Sequence, residues 1–186
     1  MENKIDAKWQ PEKLDVKAFA RASASLSGQA PLSQWERLSE ESQVELETPP
    51  VTWSAHGKSV AEAGAPDQVW LNLQVKAALP MLCQRCLGPV LTEIEVDRSF
   101  RFVADEATAM ALDDEEEEDL LVLSREFNLL ELVEDEVILA IPLVPFHAVC
   151  PQPLPMAVAD PQFAQEEEKR PNPFAALAGL KVPKSS

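Results

Sequence analysis

Cysteine, histidine and glycine are scarce in this 186-residue chain, which has three, two and five of them. So few glycines leave no phosphate-binding glycine loop, and three cysteines do not make a disulfide framework. No run of apolar residues approaches the length of a membrane span, and the first residues include no apolar stretch of secretory type. We therefore expect a cytoplasmic protein, in a reducing compartment, that does not associate with a membrane.

Basic residues are also few, with 16 Lys and Arg against 32 Asp and Glu and a net charge of −16. Such a surface is repelled by nucleic-acid phosphates and attracts basic proteins. The alternative is that the acidity serves only to keep the protein soluble. Two short basic clusters lie near the ends and either contact RNA locally or are simply solvated: Lys13, Lys17 and Arg21 at helical spacing, then Lys169, Arg170, Lys181 and Lys184. A basic protein is therefore the expected partner.

Residues 1–150 are predicted to form a single α+β domain, since 46% of the chain is hydrophobic. A first helix is expected to begin near Pro11 and to be broken at Gly28. The spacing of Ser33 and Glu36 is that of a capping box, which predicts a second short helix. These N-terminal helices should flank an antiparallel sheet of about four strands.

Hydrophobic alternation predicts the strands of that sheet. The two longest, residues 69–79 and 94–102, flank the sequence Cys83-Gln-Arg-Cys86 and should form a hairpin with the cysteines at its tip. Shorter strands are expected at 51–56, with a turn at Gly57, and at 120–123.

Residues 105–119 contain nine acidic residues and no basic one, which predicts a disordered loop that is either solvated or binds a basic partner. Asn128 should then cap one long amphipathic helix over 129–141, ended by Pro142. Residues 151–186 are rich in proline and are predicted to be a mobile tail with a short helix at 173–180. That helix is too short to be stable alone, so it should dock in cis or on a partner.

All three cysteines and one histidine form two close pairs, Cys83 with Cys86 and His147 with Cys150. Two such pairs match the ligand set of a tetrahedral zinc site. Four protein ligands would leave no position for a substrate water, so the expected cofactor is one structural zinc. The alternative is two reduced cysteines on a hairpin with an incidental histidine nearby.

Catalytic interpretations of the same residues fit less well. A thioredoxin-like site places its Cys-x-x-Cys at a helix N-terminus, whereas a strand is predicted to follow Cys86. A cysteine nucleophile needs a histidine base, and neither His56 nor His147 lies in a catalytic motif. No catalytic residue, small-molecule substrate or organic cofactor is predicted, and a zinc-dependent or thiol enzyme is kept as the alternative.

Three blocks of this sequence resemble the bacterial YceD family, described as large ribosomal RNA subunit accumulation proteins. They are Cys83–Cys86, the helix with its proline exit over residues 128–147, and the Asn-Pro-Phe segment over 172–180. The resemblance implies a non-enzymatic factor for accumulation of 23S ribosomal RNA and biogenesis of the large subunit. Many relatives have a second Cys-x-x-Cys where this chain has His147 and Cys150.

The expected mechanism is binding of a basic ribosomal or assembly protein rather than direct binding of RNA. The acidic segment 105–119 and the C-terminal helix are the candidate docking elements. In that helix the expected partner-binding residues are Asn172, Pro173, Phe174 and Leu177. An acidic chaperone of a basic partner unrelated to ribosomes would have the same charge and remains an open alternative.

Overall fold

A computed structural model describes residues 9–62, 64, 66–112 and 118–151 of the chain. The helices are α1 (Val16–Arg21), α2 (Glu36–Glu40), α3 (Glu106–Leu112) and α4 (Leu129–Leu139), and the strands are β1 (Ser25–Ala30), β2 (Val51–Val60), β3 (Gln68–Leu82), β4 (Pro89–Val103) and β5 (Asp119–Val122). The fold is α+β, as the sequence predicts. Among these helices, none has both the length and the apolar character that crossing a membrane requires.

The five strands form one sheet in the order β1-β2-β3-β4-β5. The first four are antiparallel, and β5 pairs in parallel with β4. The prediction of about four antiparallel strands is therefore correct for β1 to β4 and wrong for the sheet as a whole. The reason is the connection from Val103 to Asp119, which is long enough to return the chain to the sheet in the same direction.

The hairpin β3–β4 dominates the sheet, with cross-strand pairs running from Val69 and Phe102 to Leu82 and Pro89. One face of the sheet carries the alternating apolar side chains and packs against residues from α1, α2 and α4 in a single core. The other face carries polar side chains along the middle of β3, with the apolar residues Trp70, Ala78 and Pro80 toward its ends. The alternation in the sequence thus predicted this hairpin and its buried face correctly.

Two glycines that the sequence suggested as breaks lie inside strands β1 and β2. A Cβ atom at Gly28 would lie 2.6 Å from the ring of Trp53 on the neighbouring strand. At Gly57 it would lie 2.6 Å from Phe19 and 2.9 Å from the backbone of Ala20 in α1. Gly28 thus permits a close approach between neighbouring strands and Gly57 one between the sheet and α1, and neither forms a turn.

The N-terminal helix is shorter than predicted. It begins at Val16 rather than Pro11, because the Asp15 side chain accepts the N–H of Ala18 at 2.9 Å and caps it there. It ends at Arg21, where the chain turns to enter β1. The prediction of a helix that continues as far as Gly28 is therefore wrong for the residues after Arg21.

The capping box predicted at Ser33 and Glu36 is not formed. Ser33 lies in a 3-10 turn, and α2 begins at Glu36 without a local side-chain cap. A carboxylate from α4 takes that role instead. Glu134 Oε1 accepts the N–H groups of Arg37 and Leu38, at 2.8 and 3.1 Å. This partner is almost a hundred residues away and is invisible in the local sequence.

Helix α4 makes further ionic contacts through neighbouring residues. Glu134 also accepts from Arg37 Nε at 3.1 Å, and Asp135 pairs with the same guanidinium. Glu136 accepts from Arg98 of β4 at 3.1 Å. Burial raises the pKa of Glu136, while the nearby Arg98 opposes the rise. We refer to these five residues as the carboxylate contact.

The acidic segment 105–119 is partly ordered, contrary to the predicted loop. Residues 106–112 form α3, where Asp105 accepts the N–H of Thr108 at 2.8 Å, and Asp119 begins β5. A local cap explains why an acidic sequence becomes helical here. Residues 113–117 lie outside the described residues. So does nearly all of the predicted tail 151–186, including the helix at 173–180.

The predicted cap of α4 is confirmed. Asn128 Oδ1 accepts the N–H groups of Leu130 and Glu131, at 3.1 and 3.3 Å. The helix ends at Leu139, slightly before the predicted end at 141, and Pro142 follows. Its C-terminal end therefore delivers the chain directly to His147 and Cys150.

Candidate metal centre

The first ligand pair lies on a tight turn between β3 and β4, which we call the knuckle (residues 83–88). The N–H of Cys83 donates to the carbonyl of Gly88 at 2.9 Å, and the N–H of Leu87 donates back to the carbonyl of Cys83 at 2.8 Å. These bonds close the turn and hold both cysteines at the end of the hairpin. The sequence prediction of cysteines at a hairpin tip is thus correct.

Leu87 has a backbone φ of +56°, a left-handed conformation that residues with side chains seldom adopt. The turn needs this conformation to bring the chain back toward β4 directly after Cys86. The cost is about 1 kcal/mol. The Leu87 side chain is largely exposed, so its burial does not offset this cost. The hydrogen bonds that close the knuckle offset it instead.

The second ligand pair lies in the exit segment (residues 142–150), which follows α4 and is bound to the knuckle by polar contacts. The N–H of Gln84 donates to the carbonyl of Pro145 at 2.9 Å, and the Arg85 guanidinium donates to the carbonyl of His147 at 2.7 Å. The N–H of His147 points at the sulfur of Cys83, 3.4 Å away. The two segments, about sixty residues apart in sequence, therefore meet as predicted.

Four donor atoms come together where the knuckle meets the exit segment. One atom each from Cys83, Cys86, His147 and Cys150 lies within 4.8 Å of the other three. A tetrahedral zinc with Zn–S bonds of about 2.3 Å would place two sulfurs about 3.8 Å apart, so the spacing fits one ion. The cluster can hold one metal, and its thiolate and imidazole donors suit zinc.

The imidazole of His147 is oriented for coordination. Its Nε2 lies 3.0 Å from the carbonyl oxygen of Pro89, and a carbonyl can only accept. In the neutral ring the proton therefore resides on Nε2, which leaves the Nδ1 lone pair free. Nδ1 lies 3.4 Å from the sulfur of Cys86 and points into the cluster. A second hydrogen bond of this kind is typical of histidines that bind metals.

Cys83 is the innermost ligand, with no exposed surface. Burial alone would raise the pKa of its thiol. The N–H groups of Cys86, His147 and Arg85 donate to the sulfur, however, and together they lower the pKa to about 5. Sulfur is therefore held as thiolate at neutral pH, which is the form that binds a metal.

The geometry favours a structural role for this cluster. Four protein donors fill a tetrahedral shell and leave no position for a water or a substrate. A thiol nucleophile would need access, and Cys83, the thiol whose pKa is lowered, is fully buried, while Cys86 and Cys150 are partly exposed. The turn after Cys86 leads into β4 and not into a helix, so the arrangement of a thioredoxin-like site is absent from this part of the chain.

Large apolar side chains around the cluster are exposed. Leu143 is fully exposed, and Val144, Phe146 and Val149 are each more than half exposed, as is Leu87 on the knuckle. Exposed apolar residues that are contiguous along a fixed segment are typical of protein-binding surfaces. We call these five residues the apolar rim.

The other predicted binding residues cannot be placed. Asn172, Pro173, Phe174 and Leu177 lie outside the described residues. Conversely, sequence reasoning missed Arg85 and the residues of the apolar rim. The only available signal for Arg85 was its position between the two cysteines, and the apolar residues after Pro142 were predicted only as part of the proline exit that leads to His147.

The comparisons with known proteins concern the part of the chain that carries this centre. A family model described as large ribosomal RNA subunit accumulation protein YceD matches residues 71–181, which is more than half of the chain and includes both ligand pairs. The large ribosomal RNA subunit accumulation protein YceD of Haemophilus influenzae is 34% identical over 111 residues, which cover 58% of this chain and 63% of that relative. No solved structure matches. On the extent of the family match, this chain belongs to the YceD family.

Proposed function

We propose that this protein is a non-enzymatic factor for accumulation of 23S ribosomal RNA and biogenesis of the large ribosomal subunit in the cytoplasm. It acts by binding a ribosomal or assembly protein and contains one structural zinc. The family match and the printed name of the Haemophilus relative support the ribosomal part of the proposal. The relative is matched over 63% of its length, so its role is transferred here as a proposal only.

The observation that carries the binding mechanism is the closed donor cluster next to the apolar rim. Cys83, Cys86, His147 and Cys150 provide four donors for one ion and leave no open coordination position. The zinc would fix the exit segment against the knuckle. That segment then presents Leu143 and Phe146 to a partner on a rigid support.

Charge indicates which partner fits this surface. With a net charge of −16, the protein attracts basic proteins and repels the RNA backbone as a whole. Ribosomal proteins that are strongly basic would be steered to it, and apolar contacts at the rim would hold the complex. The partner should therefore be a basic protein of the large subunit.

The test uses proteins extracted from purified large subunits and passed over the immobilised full chain. The double variant Leu143→Ser/Phe146→Ser should retain at least about tenfold less of the captured protein, since burying two such side chains contributes more than 1.4 kcal/mol. Leu46→Ser is the control, because Leu46 is an exposed apolar residue outside the apolar rim and outside both candidate docking elements. It should leave capture unchanged.

Two further measurements separate this mechanism from its alternatives. Hen lysozyme, an unrelated basic protein, should bind weakly, and capture as strong as that of the ribosomal protein would indicate an acidic chaperone without ribosomal specificity. The protein should also bind 23S RNA fragments only weakly at physiological salt. Tight binding of RNA without any protein would contradict the protein-partner mechanism.

A further inference from the structure

One cleft of this acidic protein is lined by basic side chains. It lies between α1 and the segment after β5 and has a volume of about 730 Å³. Its lining consists of Asp15, Lys17, Ala18, Arg21, Ala22, Leu123, Ser124 and Arg125. Lys17 and Arg21 follow the helical spacing that the sequence predicted, and the fold adds Arg125 from a distant part of the chain.

The three cations of this cleft differ from three other basic residues of the protein. Arg37, Lys76 and Arg98 each pair with at least one carboxylate. Within the described part of the chain, no carboxylate lies within ion-pair distance of the three cleft cations. Among the described residues Lys13 and Lys58 also have no ion pair, but neither lines the cleft. The one acidic residue of the lining, Asp15, is engaged as the cap of α1.

This absence of pairing has a physical cost. Lys17 and Arg21 are like charges at i, i+4 on one helix, which destabilises a helix by about 0.2–0.5 kcal/mol. The chain has twice as many carboxylates as cations, so compensating charge is not in short supply. The cleft therefore keeps three exposed positive charges close together without a carboxylate partner, which is the arrangement that an anion-binding site requires.

The walls of the cleft are fixed by the backbone. Leu14 and Phe127 exchange both of their N–H···O bonds, at 2.8 and 3.0 Å, and so bind the chain just before α1 to the chain after Arg125. The N–H of Leu123 donates to the carbonyl of Val103 at 2.9 Å and attaches the same segment to the sheet. The three cations are consequently held by backbone that needs no rearrangement to bind a ligand.

We infer that this cleft binds the phosphodiester backbone of RNA. Arg21 and Arg125 have planar guanidinium groups that suit phosphate oxygens, and Lys17 adds a point charge. The lining includes no aromatic or amide side chain that would stack on a base or read its edge. Recognition of the backbone without regard to sequence follows from that composition.

The affinity of this cleft for RNA alone should be low, because the net charge of the protein opposes it. Up to three phosphate contacts on a single strand give a salt slope of about −2. The contact becomes effective once the basic protein partner has brought the RNA close, which raises its effective concentration. The inference thus rests on the proposed function, in which this protein would contact the RNA and the protein of one assembly intermediate.

The test measures fluorescence anisotropy of a labelled twelve-nucleotide oligouridylate with the full chain from 25 to 150 mM salt. Lys17→Gln and Arg125→Gln should each weaken binding about fivefold at low salt and reduce the salt slope by about 0.7. Lys58→Gln is the matched control, since Lys58 is exposed on β2 and its substitution removes the same charge. It should change the affinity less than about twofold.

Two results would overturn the inference. If the Lys58 and Lys17 variants lose affinity equally, only net charge matters and the cleft has no special role. If anionic phosphatidylglycerol vesicles bind the protein more tightly than the oligonucleotide does, and Lys17→Gln abolishes that binding, the ligand is a membrane surface. Capture of large-subunit proteins by Lys17→Gln should be unchanged, so this inference and the proposed function can fail separately.

Discussion

Helix α4 is attached to the rest of the fold at two places, and the two attachments have different chemistry. At the carboxylate contact, the helix is held by several separate hydrogen bonds and ion pairs, which Glu134 and Glu136 form with α2 and with two arginines. Beyond the C-terminal end of the helix, the attachment combines hydrogen bonds from Gln84 and Arg85 with one donor cluster that includes the fully buried Cys83. The first should weaken gradually under substitution, whereas the second should fail as a unit.

The magnitudes explain this difference. A hydrogen bond contributes about 1 kcal/mol and one to a charged group about 1.5–3 kcal/mol. Metal binding at a structural zinc site contributes on the order of 10 kcal/mol, which is coupled to folding. A domain of this size has a total stability of about 5–15 kcal/mol. Loss of the proposed zinc can therefore unfold the domain, and loss of a single carboxylate cannot.

The largest effect is expected for Cys83→Ser. A buried hydroxyl is a poor zinc ligand, so the variant should lose the metal and the cooperative thermal transition seen by circular dichroism. Treating the unmodified protein with a strong chelator should produce the same loss. An unchanged melting temperature in the variant would show that the cluster contributes little to the fold.

A smaller effect is expected for Glu134→Ala. This change leaves the buried N–H of Leu38 without its acceptor and removes a partner of Arg37, so the free energy of unfolding should fall by about 2–3 kcal/mol. Asp135→Ala is the matched control, because Asp135 binds the same arginine at an exposed position. It should cost less than about 1 kcal/mol in urea unfolding. Equal losses for the two would contradict the capping role of Glu134.

The smallest effect concerns Glu136 and pH. Burial raises its folded-state pKa above the ordinary value of 4.5, with Arg98 acting in the opposite direction and Asp119 and Asp135 adding to the rise. A raised carboxyl pKa means that stability falls as pH rises from the unfolded value through the folded one. The free energy of unfolding of the unmodified protein minus that of Glu136→Gln should therefore be larger at pH 5 than at pH 8. A stability difference that is constant with pH would show that Glu136 titrates normally.

Short-range patterns in the sequence predicted much of this fold. Alternation over β3 and β4, the cap at Asn128 and the two spaced ligand pairs each depend on residues close to one another. The donor cluster followed because a hairpin tip and a helix exit were both placed correctly. The predicted zinc itself remains a prediction.

Several errors came from residues whose roles depend on distant partners. Gly28 and Gly57 resemble turn residues until Trp53 and Phe19 are seen to pack against them. Helix α2 is capped from α4 and not by Ser33. In the same way, Arg125 joins Lys17 and Arg21 only through the fold, so the sequence showed a basic helix face and not a cleft.

Metal content combined with thiol reactivity tests the central claim most directly. Protein purified without chelator should contain one zinc per chain by elemental analysis. All three thiols should resist a thiol reagent until a chelator is added, after which all three should react. Absence of zinc, or one thiol that reacts rapidly in the zinc-loaded protein, would contradict a closed structural centre and favour a thiol or zinc enzyme instead.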